Sequence, residues 1–190
     1  DVTVPQYMVI DSYEWNVPDT RGEHDGLSGP VTILHAPNHR ALKGTEFIVQ
    51  AVDRLVSEGL NVRLELLEGV KNSFVKERIR SVDIVADQLI LPGYALTALE
   101  GMASGLPVLA NLDDDSQTRV YRRYSFLNEC PILSTTPESV FSNLKALVTN
   151  PDLRYQLGRA GRSFVEKYHS YSAAQFLFKS IYQYLESPTS

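Results

Sequence analysis

The sequence predicts an α/β domain with a doubly wound parallel sheet, Rossmann-like, carrying additional C-terminal helices. Two observations carry this prediction. From Val31 onward, short apolar runs alternate with amphipathic segments, the pattern of strands joined by helical crossovers. Alternation of this kind implies a parallel sheet covered on both faces, and three helical segments follow it. A chain of 190 residues suffices for one well-packed domain and is short for two.

Residues 2–10 read as a strand and residues 19–30, polar and Gly-rich, as a linker, so residues 1–30 form a leader rather than core. Residues 31–34 (Val-Thr-Ile-Leu) are the first core strand. Residues 45–57 form a helix, since Phe47, Ile48, Ala51, Val52 and Leu55 share one face, and Gly59 ends it. Residues 62–67 make the next strand, 73–81 a short helix and 84–86 a strand. A helix over 94–103, a strand over 107–110, a helix over 116–124 and a short strand over 131–133 complete the alternation. Pro137 after Thr136 starts a helix running to Val148. Asp152 opens another, reaching Lys167, with Leu153, Leu157, Ala160 and Phe164 on one side. Ser170 or Ser172 caps the last, which runs to Leu185. Right-handed crossovers between such strands give a parallel sheet, and ligands of such sheets bind outside the strands' carboxyl ends.

Composition excludes several classes. A net charge of -5 argues against nucleic acid or an anionic membrane surface as partner. No apolar run is long enough to span a bilayer. The start Asp1-Val2-Thr3 has neither Met nor a basic segment, so it reads as a cut from a longer protein with no signal peptide. The lone Cys130 cannot form an internal disulfide, which fits a reducing, cytoplasmic compartment, and it reads as a small packed thiol. No Cys/His cluster has zinc spacing, so no metal is expected.

The most informative stretch runs from Pro92 to Ala110. A Gly-containing turn opens a helix, Glu100 sits two turns inside, and Gly105-Leu106-Pro107 feeds an apolar strand. Unpaired N–H groups at the helix start suit an anion. Glu100 lies too deep to cap that end; a carboxylate there suits a vicinal diol, such as sugar or ribose hydroxyls, and also suits a plain helix-surface charge. A second loop, residues 35–45, gathers His35, His39, Arg40, Lys43 and Gly44 at the end of the first strand. Its cations either neutralise a diphosphate, with Arg bidentate and Lys a point charge, or form a solvated basic loop.

Together, the two loops resemble the C-terminal, donor-binding domain of the two-Rossmann-domain (GT-B type) retaining glycosyltransferases, group 1 or family 4. The resemblance covers residues 10–185 and is most specific over residues 93–110, Gly-Tyr-Ala-Leu-Thr-Ala-Leu-Glu-Gly-Met-Ala-Ser-Gly-Leu-Pro-Val-Leu-Ala. His35-Ala36-Pro37, Lys43-Gly44-Thr45 and Asp83-Ile84-Val85-Ala86-Asp87-Gln88 are similar to a bacterial branch. The resemblance implies residues 31–169 as a nucleotide-sugar-binding domain and residues 170–190 as a crossover helix and tail. It implies that Lys43, with Arg40, contacts the donor diphosphate as the catalytic cations. Glu100 would hold the ribose hydroxyls, the N–H groups around Gly93, Tyr94 and Ala95 the sugar or phosphate, and Gly69 would line the nucleotide site. No cofactor is implied; the nucleoside-diphosphate sugar is a substrate. The implied partner is an N-terminal acceptor-binding domain, without which the fragment would be inactive. Phe176, Phe178 and Tyr182 of the last helix would be exposed where it is absent. Membrane association and polysaccharide biosynthesis are family possibilities for the parent protein.

Three positions depart from the family pattern. The first glutamate of its pair, which touches the donor sugar, is Pro92 here. The arginine five residues before the lysine is Asn38, leaving Arg40 as the nearest replacement, and a common Gly after the aromatic is Ala95. Pro92 therefore keeps open a domain that binds without catalysing, and the shared architecture keeps open a sugar-nucleotide epimerase. Asp113-Asp114-Asp115 reads as a helix cap rather than a metal-holding Asp-x-Asp run. His24 reads as a linker residue, His35 as strand-end packing, His39 as a loop residue and His169 as the mark of a helix junction.

Overall fold

The computed structural model describes residues 8–15, 23–113, 116, 118, 119, 122 and 126–186. Five strands, β1 (Val31–His35), β2 (Val62–Leu66), β3 (Ile84–Ala86), β4 (Val108–Ala110) and β5 (Leu133–Ser134), form one sheet. Its order is β2-β1-β3-β4-β5 and every pair is parallel. The doubly wound α/β architecture is thus as the sequence predicts. β1 and β2 are aligned from Val31 opposite Val62 to His35 opposite Leu66.

Side-chain alternation sorts the strands' residues into two apolar layers. Val31 and Ile33 of β1, Ile84 and Ala86 of β3, and Leu109 of β4 face the layer built on α2 (Thr45–Ser57) and α5 (Val140–Thr149). Leu34, Val85, Val108 and Ala110 face the other, with Leu99 and Met102 of α4 (Leu96–Ala103) and Phe164 of α6 (Pro151–Tyr168). Ile10 and Trp15, in the expected leader, are buried in this second layer. Arg162 of α6 holds them there by donating to the carbonyls of Ser12 and Trp15, each at 2.7 Å. Residues 8–10 carry no strand, and the rest of the expected 2–10 strand lies outside the described residues.

Several element ends differ from expectation for local reasons. A one-turn helix, α1 (Arg40–Lys43), occupies the basic loop and stops at Gly44, whose φ of 71° is left-handed. The helix expected over 94–103 begins at Leu96, because Ala95 is extended at the N-cap. α3 (Asn72–Arg78) gives way to a 3-10 turn over Ile79–Ser81. Thr136 to Ser139 form a turn closed by Ser139 N–H on the Thr136 carbonyl, so α5 starts beyond Pro137. Phe47 is 41% exposed although its helix-mates Ile48, Ala51, Val52 and Leu55 are buried. The buried face of α6 is Arg154, Gly158, Gly161, Phe164 and Val165, and Ala160 is exposed. The glycines decide this: a Cβ on Gly158 would collide with the Gly105 carbonyl, so α6 lies against the corner between α4 and β4. α7 (Tyr171–Glu186) is capped by Ser170, whose hydroxyl accepts from Ala173 N–H at 3.2 Å. Ser116, Thr118, Arg119 and Arg122 are helical; the rest of the expected 116–124 helix lies outside the described residues.

Candidate functional site

The carboxyl ends of β1 and β3 meet at Asp87, the residue following β3, which is 2% exposed. Its Oδ1 accepts from Lys43 Nζ at 2.6 Å and its Oδ2 from the Ala95 N–H at 2.9 Å. Gln88 Oε1 also accepts from Lys43 Nζ, at 2.8 Å. Lys43 is itself buried, 8% exposed, because Gly44 turns the chain sharply and Leu89 N–H bonds the Lys43 carbonyl at 3.1 Å. The loop after β3 is fixed in turn by Gln88 Nε2 donating to the Gly93 carbonyl and by Gly93 N–H donating to the Asn111 carbonyl at 2.7 Å.

Behind Lys43, the His35 imidazole is fully buried. Its Nδ1–H donates to the Ala86 carbonyl and its Nε2 accepts from the Thr45 hydroxyl, both at 2.8 Å. Burial pushes this imidazole below its ordinary pKa, so it is neutral, consistent with a packing role at the strand end.

Glu100 projects from α4 and is 6% exposed. Asn72, at the start of α3, donates to its Oε1 at 2.9 Å; among the described residues Oε2 has no hydrogen-bond partner. Burial, with the Asp87 charge nearby adding to it, raises the Glu100 pKa despite the Asn72 bond.

The structure thus joins Lys43 to Ala95 through Asp87 and to Gly93 through Gln88, with Glu100 in electrostatic reach of Asp87. The other sequence-predicted positions lie differently. Arg40 is exposed and held by two carboxylates, Glu46 at 2.7 Å and Glu68 at 2.6 Å. Gly69, adjoining Glu68, has a φ of 65° with open space where a Cβ would stand. Asn38 is exposed. The Tyr94 side chain turns into the core, edge-on to Phe164 and His169. Asp113 is exposed, accepts from the Ser134 hydroxyl and donates its N–H to Asn111 Oδ1; Asp114 and Asp115 lie outside the described residues. Cys130 is half-buried, with its thiol pushed up to about 12 by burial.

Asp87, Gln88 and Asn72 are site residues that sequence reasoning missed. Two adjacent polar residues directly after the wholly apolar run Ile84-Val85-Ala86 are a signal for the first two, because that step marks the strand's carboxyl end. Nothing local marks Asn72.

Among the described residues, no group of three or more His, Cys, Asp or Glu could hold a metal ion, and no helix is long and apolar enough to cross a membrane.

Solved structures share this fold. The C-terminal domain of a glycosyl transferase group 1 family protein, LpcC, from Francisella tularensis aligns with 85% of this chain and 99% of its own, at 16% identity and a TM-score of 0.57. A glycosyltransferase from Rickettsia africae aligns with 98% of this chain and 58% of its own, at 14% identity and a TM-score of 0.67. S. aureus TarM, in a complex that contains UDP, aligns with 95% and 38%, at 15% identity and a TM-score of 0.62. The chain therefore spans nearly all of the isolated domain but little over half, or less, of the two larger proteins. No protein-family model and no curated protein matches the sequence. At these identities the likeness shows the fold: an α/β domain like the C-terminal domain of that group 1 glycosyl transferase.

Proposed function

We propose that this domain binds the donor of a glycosyltransferase, a nucleoside-diphosphate sugar, and serves transfer of the sugar with retained anomeric configuration. One observation carries the reading. A buried ammonium, Lys43, is paired with Asp87 at the carboxyl end of the sheet, and a buried carboxylate, Glu100, lies within electrostatic reach of Asp87, each with capacity left over. Lys43 has three ammonium hydrogens against two acceptors, and Glu100 Oε2 has no partner among the described residues. A cation and a diol-binding carboxylate are what a nucleoside diphosphate requires.

In the transfer, the bond from the sugar's anomeric carbon to the diphosphate breaks, its electron pair leaving with the diphosphate. A bond from the acceptor oxygen forms on the same face, as the acceptor hydroxyl's proton passes to an oxygen of the departing diphosphate. The contribution of Lys43 is electrostatic, stabilising the departing diphosphate, with the positive end of α4 adding to it. Glu100 fixes the ribose, so that binding energy remote from the reacting carbon positions the donor. Lys43 and the helix end do this work without a metal. The acceptor site belongs to a partner domain outside this chain, and the cytoplasm is the compartment that supplies such donors.

The test is phosphorus NMR of UDP, GDP and ADP with the chain. One nucleotide should shift and broaden without magnesium, and Lys43→Gln should abolish the change. No perturbation of any nucleotide contradicts the reading. Incubating the full protein with donor but no acceptor separates the epimerase alternative, which would convert the sugar without it.

A second reading, binding without catalysis, is favoured by Arg40. Glu46 and Glu68 already neutralise it, which leaves Lys43 as the phosphate-binding cation of this loop. Donor turnover by the full protein would dismiss this alternative.

A further inference from the structure

We propose that Asp87 is a specificity-determining residue of the candidate site, an internal stand-in for the ligand's phosphate that yields only to a ligand also engaging Glu100. The inference rests on the donor-site reading above. Asp87 holds the two donors a phosphate would use: Oδ1 lies 2.6 Å from the Lys43 ammonium and Oδ2 lies 2.9 Å from the Ala95 N–H at the start of α4. Carboxylate and phosphate oxygens accept the same charge-assisted hydrogen bonds, so donors arranged around one suit the other. Gln88 Oε1 takes a second hydrogen of the ammonium.

A simple anion therefore meets a lysine already neutralised, with a second carboxylate, Glu100, close by. Displacing Asp87 gives it nothing beyond what Asp87 already supplied. A nucleoside diphosphate brings ribose hydroxyls to Glu100 Oε2, and that added binding offsets the exchange. The main chain need not move. The Asp87 N–H donates to the Leu109 carbonyl at 2.9 Å, which keeps the residue in sheet register, so the carboxylate yields by side-chain rotation alone.

The experiment is calorimetry of the unmodified chain and Asp87→Asn with pyrophosphate and with UDP, GDP and ADP. The unmodified chain should bind one nucleotide at least tenfold more tightly than pyrophosphate, and Asp87→Asn should gain about tenfold in pyrophosphate affinity. Unchanged or weaker pyrophosphate binding by folded Asp87→Asn overturns the proposal while leaving the donor-site reading intact. If that variant does not fold, amide NMR of the unmodified chain decides. The Ala95 amide should shift strongly on nucleotide saturation as its acceptor changes; an unmoved Ala95 resonance overturns the proposal. If no nucleotide binds the unmodified chain, the donor-site reading falls, and this inference with it.

Discussion

Tyr94 and His169, 75 positions apart, share a hydrogen bond of 3.1 Å between the phenol oxygen and Nε2. The same imidazole donates from Nδ1 to the Met8 carbonyl at 2.7 Å, and the His169 carbonyl accepts from Ile10 N–H. One buried side chain thus ties the loop entering α4 to the α6–α7 corner and to the segment entering the domain. His169→Ala leaves a cavity and strips the Tyr94 hydroxyl and Met8 carbonyl of these bonds, so it should destabilise the fold by about 3 kcal/mol. Urea unfolding measures this.

Burial holds both His35 and His169 below their ordinary pKa. The unfolded chain therefore binds their protons first. Their contribution to stability should be complete above pH of about 6.5 and should fall as pH drops from there through the folded values. Urea midpoints from pH 8 to pH 5 should decline, and His169→Gln should flatten part of that decline.

Glu100 has the opposite sign. Its folded pKa lies above the ordinary carboxylate value, so its charge costs stability at neutral pH, and the cost lifts as pH falls through the folded value. Glu100→Gln keeps an acceptor for Asn72 and removes the buried charge. It should stabilise the chain by about 1 kcal/mol at pH 7 while weakening nucleotide binding, the exchange expected of a residue retained for function. Paired melting and binding measurements check both halves.

Lys43→Met leaves Asp87 buried without its ammonium partner and should destabilise by about 3 kcal/mol or more. Combining it with Asp87→Leu removes the stranded charge and should restore part of the loss. A double-mutant cycle in urea reads the coupling.

Gly158→Ala drives a Cβ into the Gly105 carbonyl and forces α6 away from α4, costing about 3 kcal/mol. A shift of the unfolding midpoint checks this, and Ala160→Ser, on the exposed side of the same helix, serves as the neutral control.

The strands are legible in the sequence because their apolar runs are short and separated by turn residues, and β1, β3 and β4 are nearly all buried. Leu153, Leu157 and Phe164 of α6 pack as the sequence predicts, and Ala160 alone departs, for a physical reason. Apolar periodicity favours Ala160, whereas close approach to backbone selects Gly158 and Gly161, and small size carries no hydropathy signal. α1 carries no signal in the sequence because one turn is too short to show a period. In the site, Lys43 and Glu100 stand out in the sequence only through the family resemblance, since spacing alone leaves each equally a surface charge. That Asp87 joins Lys43 to Ala95, and that Asn72 holds Glu100, depends on side-chain reach between segments distant in sequence.

Calorimetric titration of this chain with UDP, GDP and ADP, with and without magnesium and repeated on Glu100→Ala, tests the donor-site account most directly. The account predicts that one nucleotide binds without magnesium and loses about tenfold or more in affinity in the variant. Failure of all three to bind, or binding that Glu100→Ala leaves unchanged, would contradict it.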